Sequence, residues 1–385
     1  MELDTETVSE NSTKSAKITN AALFQGVTLT GGETYTLSFD IYLGENFNSS
    51  KLSWGIFGMN GNYINTGVGC GYKEGTLITE SNFDPSKKNE WQHIETDFLC
   101  SSDAMYAVEF LYTASDSINI DNVFVTDGKE PTMAVKEYTV TYSDEKGTYN
   151  LYGKMYRPLG VEKCGAVIFS HGFAGGCDNF PDDCRMLAEN GYASFTFEFA
   201  GGSTKMQSTG RQTTEMSIMT EKKDLLAVFD YISKLDGIDS ENMFLAGASQ
   251  GGMISAMAAE ELGDNVKGMA LYFPAYNIPD DWRKEFANKE VPDTFEKWGF
   301  PLGKVFYTDI ENYYPFRDNN IGKYKGNVLI MQGSADKTVP QRYAEEAIKH
   351  YENAELVIYE GEGHGFSAPN AQKAREKLLD FITKE

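Results

Sequence analysis

The sequence predicts two domains of different class. An all-β sandwich or jelly roll is expected over residues 1–127, and a mostly parallel sheet flanked by helices over residues 135–385. Three observations lead there. Up to Thr126-Asp127-Gly128-Lys129-Glu130-Pro131 the chain is β in character, with short alternating runs parted by Gly, Asn and Ser clusters. Beyond it, strand and helix patterns alternate, the signature of a mostly parallel sheet. At 385 residues the chain also exceeds one ordinary domain. Residues 128–134 are read as the linker.

Each element has its own signal. Residues 34–41 alternate strictly, residues 107–112 do so in part, and residues 118–125 close the first domain. In the second, apolar runs at 166–170, 243–246, 268–273, 327–333 and 356–359 read as buried strands. Helical patterns cover 181–190, 221–234, 253–262 and 370–383. Between the strands at 268 and 328 lie roughly fifty residues, too many for a plain loop. This stretch, about 276–325, is read as a lid, and most of its aromatics are expected to pack it down.

Composition excludes several functions. The net charge of −23 and pI of about 4.6 argue against nucleic acid, whose phosphates need a basic face. No apolar stretch approaches the ~20 residues of a membrane span, so no membrane insertion is expected. The start, Met1-Glu2-Leu3-Asp4-Thr5-Glu6, lacks the basic and apolar regions of a secretory signal; a chain clipped after its signal would look the same. The five cysteines show no C-x-x-C zinc spacing. Cys177 and Cys184 are read as buried thiols in preference to a short-loop pair.

The chemistry is announced by Gly247-Ala248-Ser249-Gln250-Gly251-Gly252 after the strand Met243-Phe244-Leu245-Ala246. In a strand–turn–helix setting, G-x-S-x-G lifts a serine hydroxyl above the sheet. That hydroxyl needs a base, and the chain has four histidines. His93 lies in an alternating strand far upstream, and His350 near the end of a charged helix. His171 follows the strand 166–170. His364 sits in Gly363-His364-Gly365, a loop poorly explained by packing, and is taken as the base. Asp336, just past the strand 327–333, is the carboxylate expected to orient it, with Glu360 and Glu362 as fallbacks. Ser170-His171-Gly172-Phe173-Ala174-Gly175-Gly176 supplies a glycine-rich turn. The N–H groups of Phe173 and Gln250 would form the oxyanion hole, leaving His171 a structural residue. No metal or organic cofactor is needed for this chemistry.

These residues resemble those of the α/β-hydrolases, whose chain order is also serine, acid, histidine. From about residue 135 to 385 the chain is most similar to the bacterial cinnamoyl and feruloyl esterases, with their H-G-F-[TA]-G loop and S-Q-G-G serine motif. Two departures stand out. Phe197-Glu198-Phe199-Ala200-Gly201-Gly202-Ser203 lacks the family's histidine, and Ala248 replaces the histidine before the nucleophile. The resemblance implies a lid that shapes a phenolic acyl pocket, with Trp298 and Asp293 where the family carries a tryptophan and an acid.

The first domain resembles jelly-roll carbohydrate-binding modules found beside xylanases, on residues 34–41, Trp91 and 118–125. That resemblance implies sugar binding by exposed aromatics, for which Tyr42, Trp54, Tyr63 and Tyr72 are candidates. Trp91 is read as core. It also implies a structural calcium held partly by Asp121. A spacer or oligomerisation module is the bland alternative.

The combined expectation is a secreted or cell-surface bacterial serine esterase. It would release ferulic or p-coumaric acid from plant cell-wall polysaccharide of the xylan type. The alternatives are an acetyl xylan esterase, a serine peptidase of the prolyl-oligopeptidase type, and a non-catalytic carbohydrate-binding protein.

Overall fold

The computed structural model describes residues 2–9, 12, 14–59, 63–73, 76–79, 83–100, 104–127 and 132–384; for 57–59, 63–73, 76–79 and 104 it describes backbone only. The chain divides into two compact units, Met1–Glu130 and Pro131–Glu385.

Among its described residues the first unit holds two five-stranded antiparallel sheets. One contains Thr34–Leu43 hydrogen-bonded to Trp91–Leu99 and to Ile118–Thr126. The other is built around Ala104–Tyr112 and Leu52–Met59. Alternation decides what is buried. Leu37, Phe39, Ile41 and Leu43 point inward and meet Leu52, Trp54 and Ile56 of the opposite sheet in one apolar core.

The second unit is an eight-stranded sheet. Its strands are β1 (Met133–Asp144), β2 (Gly147–Pro158), β3 (Cys164–Ser170), β4 (Ala193–Phe197), β5 (Ile238–Ala248), β6 (Gly268–Tyr272), β7 (Asn327–Gly333) and β8 (Ala354–Tyr359). Their order is β1-β2-β4-β3-β5-β6-β7-β8. β1 and β2 form a hairpin, β2 runs antiparallel to β4, and all later pairings are parallel. The helices are α1 (Pro181–Glu189), α2 (Ile218–Ile232), α3 (Gln250–Leu262), α4 (Ile278–Phe286), α5 (Val305–Thr308), α6 (Arg342–Ala347) and α7 (Ala368–Thr383).

Parallel strands must bury both faces, and β3 shows how. Ala166 and Ile168 enter one core with Leu225, Leu245 and Met253; Val167 and Phe169 enter the other with Leu187, Phe244 and Phe381. Each fully buried Val, Ile or Phe contributes about 1.5–3 kcal/mol. The central strands therefore form a rigid platform, with the functional loops at their carboxyl ends. Among the described residues, no helix is long and apolar enough to cross a membrane.

The segment after β6 carries α4, α5 and a small hairpin, Thr294–Lys297 paired with Phe300–Gly303. The hairpin turn is Trp298-Gly299, with φ of +51° and +77°. Two left-handed residues suit the twist of a two-residue hairpin, but the first is usually Asn or Gly. A tryptophan there costs about 1–2 kcal/mol. The lid returns to the sheet through Glu260 of α3, whose carboxylate accepts the N–H groups of Gly322, Lys323 and Tyr324.

Candidate active site

β5 runs straight into α3, and Ser249 is the single residue between them, at φ +54° and ψ −119°. A β carbon on Gly247 would lie 2.4 Å from the Gly251 carbonyl oxygen, and one on Gly251 would lie 2.2 Å from that of Ser170. Only glycine permits so close a crossing of strand and helix. The turn is held by Ser249 N–H on Tyr272 O (2.9 Å) and by Ala275 N–H on Ser249 O (2.9 Å).

The loop after β8 brings His364 Nε2 to 3.0 Å from Ser249 Oγ. On its other side, His364 Nδ1 is 2.8 Å from Asp336 Oδ2, on the loop after β7. The His364 ring also packs edge-on against Phe273, with centroids 4.8 Å apart. Asp336 is well anchored: its Oδ1 accepts the N–H groups of Thr338 and Val339, both at 2.8 Å, and Gln332 Nε2 donates to Oδ2 at 3.2 Å. Burial opposes its charge. The bonds from His364 and from those two amides nevertheless hold the carboxyl below its ordinary value.

The loop after β3 passes beside the nucleophile; a β carbon on Gly172 would stand 3.4 Å from Ser249 Cβ. Among the described residues, neither Phe173 N–H nor Gln250 N–H donates to a protein acceptor. Two free donors flank the serine, one of them at the first turn of a helix, where the dipole favours negative charge. His171 lies beneath. Its Nδ1 bonds the Gly172 carbonyl at 2.7 Å, and its Nε2 accepts Phe199 N–H at 3.2 Å. A ring that accepts at Nε2 and donates at Nδ1 is neutral, and burial pushes its pKa down to about 4.

His350 stacks on Phe316 and pairs with Glu346, away from the serine. Glu360 binds Ser334, and Glu362 binds Ser367 and Asn370. A cavity of about 1090 Å³ opens at Ser249 and Gln250 and is walled by Phe173, Trp282, Phe286, Phe295, Phe306 and Trp298, with Lys297 and Lys337 among its polar lining. The exposed Trp298 indole meets Phe173 edge-on at 5.7 Å. The Lys297 ammonium lies over both the Trp298 and Trp282 rings.

Several expectations need correction. Asp293 does not line the cavity; its side chain is exposed at the foot of the hairpin, where its carbonyl takes Lys304 N–H. Trp54 is 2% exposed and packs edge-on against Phe39, because Leu52, Trp54 and Ile56 share the inward face. Trp91 is not core: it stands half-buried on the outer face, opposite Tyr42, with ring centroids 5.6 Å apart. The side chains of Tyr63 and Tyr72 lie outside the described residues. The Asp121 carboxylate does not fit a calcium site. Both oxygens accept from Ser9, Ser12 and Asn122, and no cluster of three metal-ligating side chains occurs among the described residues. Cys177 and Cys184 are buried free thiols.

Four buried acids escaped the sequence, Asp183, Glu198, Glu221 and Asp224; Asp183 accepts from Tyr272 Oη at 2.8 Å, and Glu221 accepts from Gln250 Nε2 at 2.6 Å. Burial pushes Asp183 up to about 6 and Glu221 up to about 8. Both bind their proton more tightly folded than unfolded, so their contribution to stability is lost as pH rises from about 4 to about 8. His171 acts oppositely: its contribution is present above 6.5 and is lost as pH falls toward about 4. Thermal stability is therefore expected to peak on the acid side of neutrality. Melting scans from pH 4 to pH 9 test this, and Glu221→Gln should flatten the alkaline slope.

The sequence pattern of the prolyl oligopeptidase family matches residues 179–385. The structure of Est1E from Butyrivibrio proteoclasticus with bound ferulic acid is similar over 64% of this chain and 99% of that one, with 25% identity and a TM-score of 0.56. A hydrolase from Agrobacterium vitis S4 covers 66% of this chain and 100% of its own, with 21% identity and a TM-score of 0.52. An acyl transferase of Photobacterium phosphoreum is 23% identical over 201 residues. That match covers 50% of this chain and 65% of the transferase, less than two thirds of its length.

Proposed function

The chain belongs to the prolyl oligopeptidase family, and from that premise we propose that it is a serine carboxylic-ester hydrolase releasing hydroxycinnamic acids from plant cell-wall polysaccharide. Its fold is that of an α/β-hydrolase, of the esterase and acyltransferase type. The observation that carries the finer reading is the aromatic wall beside Ser249, with Trp298 held over Phe173 by a strained turn. A backbone outlier kept at a pocket rim points to use. The likeness to Est1E with bound ferulic acid supports the same acyl group.

In this mechanism His364 Nε2 takes the Ser249 proton as Oγ attacks the ester carbonyl. The developing oxyanion is held by the amides of Phe173 and Gln250. Imidazolium, stabilised by Asp336, then gives the proton to the departing sugar oxygen. Water deprotonated by His364 attacks the acyl-enzyme, and the acid leaves with Ser249 restored. Acetyl is the rival acyl group. Peptide cleavage is the activity in the family's name. The first unit consists of two sandwiched sheets, unlike the β-propeller usual beside such peptidases. Methyl ferulate, ethyl acetate and a proline anilide, assayed together, separate the three.

Trp298→Ala is expected to lower kcat/KM for methyl ferulate about tenfold or more, ~1.4 kcal/mol in the transition state, and to leave ethyl acetate unchanged. The indole would touch the remote ring, whose binding energy orients the ester. Equal losses on both esters would make Trp298 a structural residue.

For the first unit we propose weak binding of a xylan-type glycan on the outer face that carries Tyr42 and Trp91. The next rung of that face holds Asp40 and His93, 2.7 Å apart, a polar pair beside an aromatic one. Such a substrate would place the enzyme outside the cell. In affinity electrophoresis of the full chain, xylan should retard migration, and Tyr42→Ala with Trp91→Ala should abolish the retardation. Unchanged retardation in that double variant would remove this face from consideration.

A further inference from the structure

The mechanism leaves Glu221 unused, yet it is fully buried and bonds the side chain of Gln250, the residue that follows the nucleophile. It sits on the first turn of α2, with its side chain turned toward the start of α3. Its Oε2 accepts from Gln250 Nε2 at 2.6 Å. Its Oε1 meets no hydrogen-bond partner among the described residues. It lies against Gly202, where an added β carbon would stand 2.3 Å from it. Gln250 itself is buried. Its backbone N–H is one of the two free donors beside Ser249, while its side chain points away to Glu221.

The peptide that carries this donor is held at its carbonyl end, where Ser249 O accepts from Met253 N–H at 3.2 Å and Ala275 N–H at 2.9 Å; its nitrogen end has the Gln250 side chain as its anchor. Ser249, before it, is in a left-handed conformation and gives α3 no side-chain cap. We propose that Glu221 is the positioning residue of the oxyanion hole: by holding the Gln250 side chain it fixes the nitrogen end of the Ser249–Gln250 peptide, beyond what the bonds to the Ser249 carbonyl do, so that the N–H is aimed at the oxyanion before the substrate arrives. Donors that are already oriented stabilise developing charge without reorganising during the reaction, and this is where electrostatic catalysis gains most. A misaimed donor weakens the transition state more than the ground state, because the carbonyl of the bound ester carries less charge.

Burial pushes the Glu221 carboxyl up to about 8, with Asp224 on the same helix opposing its ionisation and Arg211 favouring it. At neutral pH it is the neutral acid. Gln at 221 therefore keeps both the charge and an acceptor oxygen for Gln250, whereas Met keeps the volume and removes the acceptor. Gln250→Met removes the same bond from its other end and leaves the backbone donor in place.

This inference rests on Ser249 carrying out acyl transfer but not on which acyl group it takes, so the test uses p-nitrophenyl acetate. Wild-type turnover of that ester tests the serine reading; ratios among variants test the role of Glu221. At pH 7, Glu221→Met should lower kcat about tenfold or more with KM within twofold, and Glu221→Gln should restore kcat to within threefold. Gln250→Met should lose as much as Glu221→Met, and the double variant no more than either, since one bond is broken in all three. A folded Glu221→Met with wild-type kcat would overturn the proposal. So would losses that multiply in the double variant, or a Glu221→Gln as impaired as Glu221→Met. Should Glu221→Met not fold, Gln250→Met carries the decision alone: undiminished kcat there rejects the positioning role.

Discussion

Ser249→Ala is expected to abolish ester hydrolysis, with kcat falling by about 10⁴–10⁶-fold while the fold stays intact. Among the described residues Ser249 Oγ bonds only to His364 Nε2, so its loss leaves no buried polar group stranded there. Alanine at φ +54° carries the strain serine already bears, so the melting temperature should move by no more than a degree or two. Ser249→Gly should be equally inactive yet more stable, because glycine accepts that backbone freely. His364→Ala should be nearly as damaging, since members of a triad act as a unit. His350→Ala should be silent, because its ring stacks on Phe316 and reaches none of the reacting groups. Hydrolysis of p-nitrophenyl acetate and a thermal melt measure both sides. Activity in Ser249→Ala comparable to wild type would end the serine mechanism.

The second large effect belongs to Asp336→Asn, expected to cost about 10³–10⁴ in kcat. The substitution preserves shape. Oδ1 remains available to Thr338 and Val339, whose N–H groups fix which atom faces the histidine. The other atom becomes an amide that donates toward His364 Nδ1. The ring must then accept there, which puts its proton on Nε2, where it can no longer receive one from Ser249. The loss should therefore appear in kcat with KM nearly unchanged. A drop below tenfold would move the orienting role to another group.

The parts of the site most legible in the sequence are those imposed by backbone geometry. Glycines at 247 and 251 are forced by atoms within 2.4 Å, and such constraint leaves a pattern one can read. His364 is legible because a loop histidine among glycines has little packing reason to exist. Position on a face was harder. Strand alternation divides 52–56 and 91–99 into two sets but does not say which set is inner. Trp54 and Trp91 were thus assigned to the wrong sides, although Leu52 and Ile56 in the same register as Trp54 carried the signal. Glu221 was invisible for another reason: a glutamate in the first turn of an amphipathic helix looks solvated, and only the crossing of α2 and α3 buries it. Asp293 failed because a short hairpin sets residues a few apart on opposite ends of one element, so closeness to Trp298 in sequence was no guide.

The lid hairpin has a consequence for how acyl preference can change. Among the described residues, 294–303 form strand pairs only with each other, and the eight-stranded sheet contributes no rung to them. The tip that meets Phe173 is therefore free to change, while Phe300 and Leu302 keep the second arm anchored in the main core. Swapping its two turn residues, Trp298 and Gly299, would redraw the pocket rim while every strand bearing the triad keeps its register. Such a part can diversify faster than the machinery it serves. Grafting the turn residues from a relative of different selectivity, with Phe300 and Leu302 kept, should transplant preference without a new fold.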